Sequence, residues 1–350
     1  MGEIPNVMIR DGHWRAARTA LWRIAGKLPF SSKWLTVLEA LAKTFSVVPS
    51  LPSWVQVETT NRCNFNCEMC PRALMDLPEE DMDMETFRFV LDRLHLRRGS
   101  LITLFGLGEP LMHGELFSMV DDVRKRGLKA GFTTNGVLLN DDIQGRILQS
   151  GLEYLRISID DDGLGAGGAV LHKASGHVVD RTGELVMRRG ASRTPEILWN
   201  VVASTASAPS IPGLIRKAGE IGIDGVNIIN LVPRFSTLTP LPDDRRIVLF
   251  REWYKAGREN GVRIQSTYGD RFGLGRFFYA GGSVCPQLLE YAYVTIDARV
   301  TPCCHLPRLV LGDLRLNTLP EIWQSESYKR FREKYKTTET CRDCRLLTWR

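Results

Sequence analysis

The chain has no uninterrupted apolar run of the about 18 residues that a membrane helix needs, so a membrane span is excluded. It also has no signal-peptide pattern, because Arg15, Arg18 and Arg23 interrupt the first apolar stretch. No basic run interleaved with aromatics appears, which speaks against a nucleic-acid partner. Internal repeats and low-complexity tracts are missing too, and with them solenoids and linker-type disorder. The glycine-rich stretch Asp160-Asp-Asp-Gly-Leu-Gly-Ala-Gly-Gly168 reads as a loop at the barrel mouth that covers substrate rather than as a nucleotide site. The net charge of +6 in 350 residues is small enough to be a solvated surface rather than a binding face for polyanions.

What remains is a chain of globular composition, a quarter of it charged, long enough for one large core and a smaller appended one. Eight cysteines without a secretion signal read as reduced thiols that serve a metal, in a cytoplasmic protein. Three of them, Cys63, Cys67 and Cys70, fall in Asn61-Arg-Cys-Asn-Phe-Asn-Cys-Glu-Met-Cys-Pro71 with C-x3-C-x2-C spacing. A tight loop with three thiolates can hold a [4Fe-4S] cluster by three irons and leave the fourth open. Zinc sites usually pair C-x2-C with a second pair or with histidines, and none lies nearby in the chain.

Residues 1–50 carry two amphipathic helix patterns, Trp14, Ala17, Leu21, Ile24 and Leu28, then Trp34, Leu35, Leu38, Leu41 and Phe45 after a Ser31-Ser32 cap. They are expected to pack on the main domain; peripheral contact with a membrane surface is the alternative. Strand candidates at 54–58, 101–105, 129–133, 154–159, 197–203 and 225–231 alternate with helical stretches, which predicts an α/β fold with a parallel sheet, closed or partly closed into a barrel. Ligands bind at the carboxyl edge of such a sheet. There stand Phe105-Gly-Leu-Gly-Glu-Pro110, Thr133-Thr-Asn-Gly136 and Arg156-Ile-Ser-Ile-Asp160.

The other five cysteines are C-terminal: Cys285, Cys303, Cys341 and Cys344, with Cys304 beside Cys303. A hairpin signal, Tyr291–Ile296 then Arg299–Cys303, and one helix at about 319–335 separate them. A unit that small needs a metal staple, and by the residues alone zinc or an iron–sulfur cluster would serve.

The cysteine loop, with the strand Trp54–Glu58 leading into it and Phe65 inside it, resembles the signature loop of the radical S-adenosylmethionine (radical SAM) superfamily. That resemblance implies a partial (β/α)6 TIM-type barrel over residues 51–240, with a [4Fe-4S] cluster on Cys63, Cys67 and Cys70 whose open iron takes the methionine end of SAM. Gly108 and Glu109 stand where the family's Gly-Gly-Glu motif holds the SAM amino group, with Leu107 in place of its first glycine. Asn135, Ser158 and Asp160 look like the family's ribose and carboxylate contacts. Cys-Pro-Gln287, Pro302-Cys-Cys, Leu311-Gly-Asp-Leu314, Glu321-Ile-Trp323 and Cys341-Arg-Asp-Cys344 resemble the SPASM or shorter twitch extension. It implies a small β-hairpin/helix iron–sulfur domain over 283–350, after a helical linker region at 241–282. Five cysteines instead of the extension's seven imply one auxiliary [4Fe-4S] cluster, on Cys285, Cys303, Cys341 and Cys344, with Cys304 a spare or a replacement for Cys303.

The resemblance further implies an enzyme that cleaves SAM reductively to a 5'-deoxyadenosyl radical and abstracts hydrogen from a substrate, fed by flavodoxin or ferredoxin. The expected substrate is a small biosynthetic molecule, a sugar, aminocyclitol or nucleoside, and the expected outcome a net oxidation with an electron passed to the auxiliary cluster. Only about fifty residues precede the barrel, where peptide modifiers often carry a leader-binding domain, and the seven-cysteine set is missing. Peptide or protein side-chain modification is the alternative, as is radical decarboxylation or epimerisation. An electron carrier or a zinc scaffold would not need the three polar strand ends. His172, His177, Arg181, Asn200, Asn230, Arg234 and Tyr268 are further candidates for substrate contact.

Overall fold

In a computed structural model, residues 50–75, 78–159, 175–232, 236–266, 285 and 287–344 are described. The N-terminal helices, the glycine-rich loop and the candidates Asp160, His172, Arg234 and Tyr268 lie outside the described residues.

Six parallel strands run in chain order: β1 (Trp54–Val57), β2 (Leu101–Leu104), β3 (Lys129–Thr134), β4 (Tyr154–Ser158), β5 (Glu196–Ala203) and β6 (Gly225–Asn230). A seventh, β7 (Arg263–Ser266), extends the β6 edge. The sheet stays open, and at its other edge the C-terminal hairpin joins it. There β8 (Tyr291–Val294) pairs parallel with β1, and β9 (Arg299–Thr301) and β10 (Gly312–Asp313) follow antiparallel. Trp54 lies opposite Tyr291 and Val57 opposite Val294, so the auxiliary unit and the cysteine loop hang from adjacent strands.

Strand periodicity decides which side chains meet the helices. Val55, Val57, Ile102, Leu104, Phe132, Leu155, Ile157 and Trp199 share one core with Phe87, Val90 and Leu94 of α1 (Met84–Leu94) and Met119, Val120 and Val123 of α2 (Leu116–Lys125). Right-handed crossovers between sequential strands put the helices on that one face. Asp83 fixes the start of α1 by accepting a hydrogen bond from the Thr86 amide at 2.6 Å.

The alternate residues form a polar opposite face. Trp54 donates from Nε1 to Thr103 Oγ1 at 3.0 Å, Tyr291 donates its hydroxyl to Gln56 Oε1 at 2.8 Å, and Gln56 donates from Nε2 to the Phe105 carbonyl at 3.0 Å. Further round, Asn227 donates to Asn200 at 2.9 Å. A sheet with one apolar face under helices and one hydrogen-bonded polar face is built to hold a ligand on the latter.

Candidate active site

The cysteine loop leaves β1 through residues 58–62 and is fastened from three directions. Arg62 forks onto Asp81 at 3.1 and 2.6 Å, and Arg72 donates to the Phe65 carbonyl at 2.8 Å. Asn135 at the end of β3 donates to Asn64 Oδ1 at 2.7 Å, which ties a candidate ligand residue to the loop itself. The Cys70 amide donates to the Cys67 carbonyl at 3.0 Å and turns the chain between the two cysteines. Burial pushes the Cys63 and Cys70 thiols above their ordinary values, opposed by nearby backbone amides and the Arg72 guanidinium. Thiols held neutral in this way ionise when a metal offsets their desolvation, and three on one loop fit the cluster the sequence implies.

The turn after β2 lies flush against that loop. The Gly108 amide donates to the Thr60 carbonyl at 3.1 Å and the Glu109 amide to the Arg62 carbonyl at 2.8 Å. A Cβ on Gly108 would come within 2.5 Å of both carbonyl oxygens, so this position excludes any side chain. Leu107, where the family motif has glycine, is buried. Glu109 is 3% exposed, and its carboxylate accepts from Thr134 Oγ1 at 2.6 Å, the Asn135 amide at 2.7 Å and the Leu111 amide at 3.1 Å. Burial holds its pKa above the ordinary carboxylate range despite those three donors. An ammonium group is the partner such a desolvated carboxylate lacks. Ser158 stands opposite Asn200 in register at the end of β4, on the polar face.

Cys285, Cys303, Cys341 and Cys344 line one cavity together with Leu288, Leu306, Phe331, Tyr335 and His305. Burial raises Cys285 to about 12 and Cys341 to about 11, and keeps His305 neutral by lowering it to about 4. Among the described residues no three Cys, His or carboxylate side chains converge closely enough to hold a single metal ion. Four cysteines lining one cavity fit an iron–sulfur cluster. Arg332 braces this unit: it lies 4.1 Å over Trp323 and 4.3 Å over Tyr328 and donates to the carbonyls of Leu288 at 3.1 Å and Trp323 at 2.8 Å.

Cys304 does not line that cavity. Its thiol engages the Tyr291 hydroxyl and faces the charge of Cys70 and Glu58, on the barrel side. The sequence assigns no role to two residues of that side. Glu58 is 5% exposed and accepts from the Leu107 amide at 3.2 Å, so it links the ends of β1 and β2. Gly106 lies against it, since a Cβ there would meet Glu58 at 2.5 Å and the Tyr293 hydroxyl at 2.7 Å. The signal that marks Glu58 is the strict alternation in Trp54-Val-Gln-Val-Glu58, which Tyr154-Leu-Arg-Ile-Ser158 repeats. Of the weaker candidates, Asn200 and Asn230 are buried at β5 and β6. Arg181 is engaged by Asp141 at 3.0 Å and Glu184 at 2.9 Å.

Comparison with known proteins agrees with this geometry. Residues 57–162 match the radical SAM superfamily, and residues 285–345 match SPASM, an iron–sulfur cluster-binding domain. The chain is similar to the tungsten-containing aldehyde ferredoxin oxidoreductase cofactor-modifying protein of Pyrococcus furiosus, 28% identical over 323 residues, 84% of this chain and 87% of that one. It is also similar to the PqqA peptide cyclase of Xanthomonas campestris pv. campestris, 27% identical over 320 residues, 87% of this chain and 82% of the cyclase. In fold it resembles Streptococcus suis SuiB bound to S-adenosylmethionine, with a TM-score of 0.64 at 15% identity, covering 96% of this chain and 82% of that one.

Proposed function

We propose, for a chain that belongs to the radical SAM superfamily and carries a C-terminal SPASM domain, the oxidation of a small biosynthetic molecule at one C–H bond. SAM and an iron–sulfur cluster additional to the SAM-binding one are its cofactors. With the cluster on the first loop reduced, SAM supplies a 5'-deoxyadenosyl radical that removes a hydrogen atom from the substrate. The observation that carries the oxidative reading is the four-thiol cavity of Cys285, Cys303, Cys341 and Cys344, from which Cys304 turns away. A centre with a full set of thiolates has no place for substrate and is suited to taking an electron. Cys63, Cys67 and Cys70 hold the SAM-binding centre, Gly108 and Glu109 receive the SAM amino group, and Asn135, Ser158 and Asp160 orient its ribose and carboxylate. The polar face between the two centres excludes bulk water and holds the substrate. A reducing partner of the flavodoxin or ferredoxin kind supplies electrons, in the cytoplasm.

Kinship with a peptide cyclase at 27% identity favours a second reading, modification of a peptide side chain. One experiment separates the two. The reconstituted, reduced enzyme is given SAM and an extract of deuterium-grown cells split by ultrafiltration, and deuterium is counted in the released 5'-deoxyadenosine. Transfer from the low-mass, peptide-free fraction supports the small substrate; transfer from the peptide fraction alone overturns it.

A further inference from the structure

We propose that Arg156, with Thr133 beside it, forms an anion-binding subsite on the polar face of the sheet, and that the substrate places a carboxylate or phosphate there. The inference deepens the reading above, since it takes that face to be the substrate's. Leu155 and Ile157 point into the helix-side core, so Arg156 between them points to the polar face. Thr133 is its direct neighbour on β3 and shares the face.

Each side chain has an unsatisfied atom. Arg156 Nε and Thr133 Oγ1 are buried polar atoms without a hydrogen-bond partner. Among the described residues, the contact made by the guanidinium is with the Tyr154 ring, 4.8 Å from its centroid. Several other arginines carry an ion pair, which Arg156 does not among the described residues. Arg189, whose side chain is 6% exposed, is matched by Asp224, and Arg62, Arg88 and Arg126 each meet an aspartate. Desolvating a cation without a partner is costly, so proteins pair buried charges. A half-buried arginine with an unpartnered Nε on the ligand face, beside an equally unpartnered hydroxyl, is open to a partner in the ligand.

The chemistry of that partner follows from the donors. A guanidinium presents a planar fork that matches a carboxylate or a phosphate with two parallel hydrogen bonds. The hydroxyl of Thr133 adds a third donor. The Tyr154 ring beneath orients the fork by a cation–π contact, and Gly131 lets that ring lie across β3, since a Cβ there would meet it at 2.4 Å. Nearer the strand ends, Ser158, Asn200 and Asn227 form a row of neutral groups in register, suited to hydroxyls. Arg156 sits two residues further into the sheet than Ser158, about 7 Å along the strand. The anion is therefore a group distinct from the SAM carboxylate expected at Ser158.

The test uses the SAM-loaded, cluster-reconstituted holoenzyme, with inorganic phosphate and acetate as probes. Calorimetric titration should show a saturable site for one of them, and which one binds separates phosphate from carboxylate. Arg156→Gln should weaken it by about tenfold or more, with Arg156→Lys intermediate. Thr133→Val, which keeps the shape, should weaken it less. SAM affinity should stay within about twofold in all three. Absence of saturable binding, or binding unchanged in Arg156→Gln and Thr133→Val, would overturn the proposal. So would a tenfold loss of SAM affinity in Arg156→Gln with phosphate competing against SAM, because the arginine would then hold the SAM carboxylate. Thr133→Val supplies the answer if Arg156→Gln fails to fold. Release of 5'-deoxyadenosine from the same preparations tests the parent reading separately.

Discussion

Glu109 concentrates the logic of the site in one side chain. It is buried, receives three hydrogen bonds, and still has a pKa above the ordinary carboxylate range because desolvation outweighs them. An ammonium ligand needs the ionised form, and a raised folded pKa means that protonation sets in at a higher pH than for a free carboxylate. SAM affinity should therefore fall on acidification before ordinary carboxylates titrate, and Glu109→Gln should weaken binding by about tenfold or more and flatten that dependence. Equilibrium binding of SAM to reconstituted protein across the acid range checks both. At Cys303 and Cys304 the prediction is a contrast. Cys303→Ala should lose the auxiliary iron, about eight irons falling to about four, while Cys304→Ala should keep it; iron analysis with the reverse result would place Cys304 in the cluster. The cysteines and Glu109 were legible because spacing and strand-end position mark them. Glu58 and Arg156 were not, since a single polar residue in an apolar alternation acquires meaning only when its neighbours on adjacent strands are known.

Among elements, the turn after β2 and the C-terminal helices are the two that fix the centres. Gly108→Ala pushes a methyl against two carbonyl oxygens of the cysteine loop. It should cost roughly 1–3 kcal/mol and lower SAM affinity with it, read by thermal unfolding and by SAM titration. Arg332→Ala removes two charged hydrogen bonds and a stack on two rings. It should destabilise the cluster-loaded protein by about 2–4 kcal/mol, measured by denaturant unfolding. The first six strands were readable nearly to their ends, 154–159 against Tyr154–Ser158 for example, because Val, Leu and Ile recur at period two between helical stretches. Arg263–Ser266 escaped because its four residues, lying in a stretch read as a helical linker, have one apolar side chain and become a strand only by pairing with β6.

At the scale of the molecule, the decisive fact is that β8 pairs with β1. The strand that leads into the cysteine loop and the strand that leads towards the four-thiol cavity are neighbours, so the two lie on adjoining strands of one sheet. That pairing spans more than two hundred residues of chain, and no local pattern announces it. The most direct test of the account counts iron and 5'-deoxyadenosine in anaerobically reconstituted, dithionite-reduced protein and in a Cys63→Ala, Cys67→Ala, Cys70→Ala variant. The account predicts about eight irons falling to about four, with 5'-deoxyadenosine formed by the first protein and absent from the second. Wild-type protein that holds its iron and yet leaves SAM intact under reduction would contradict it.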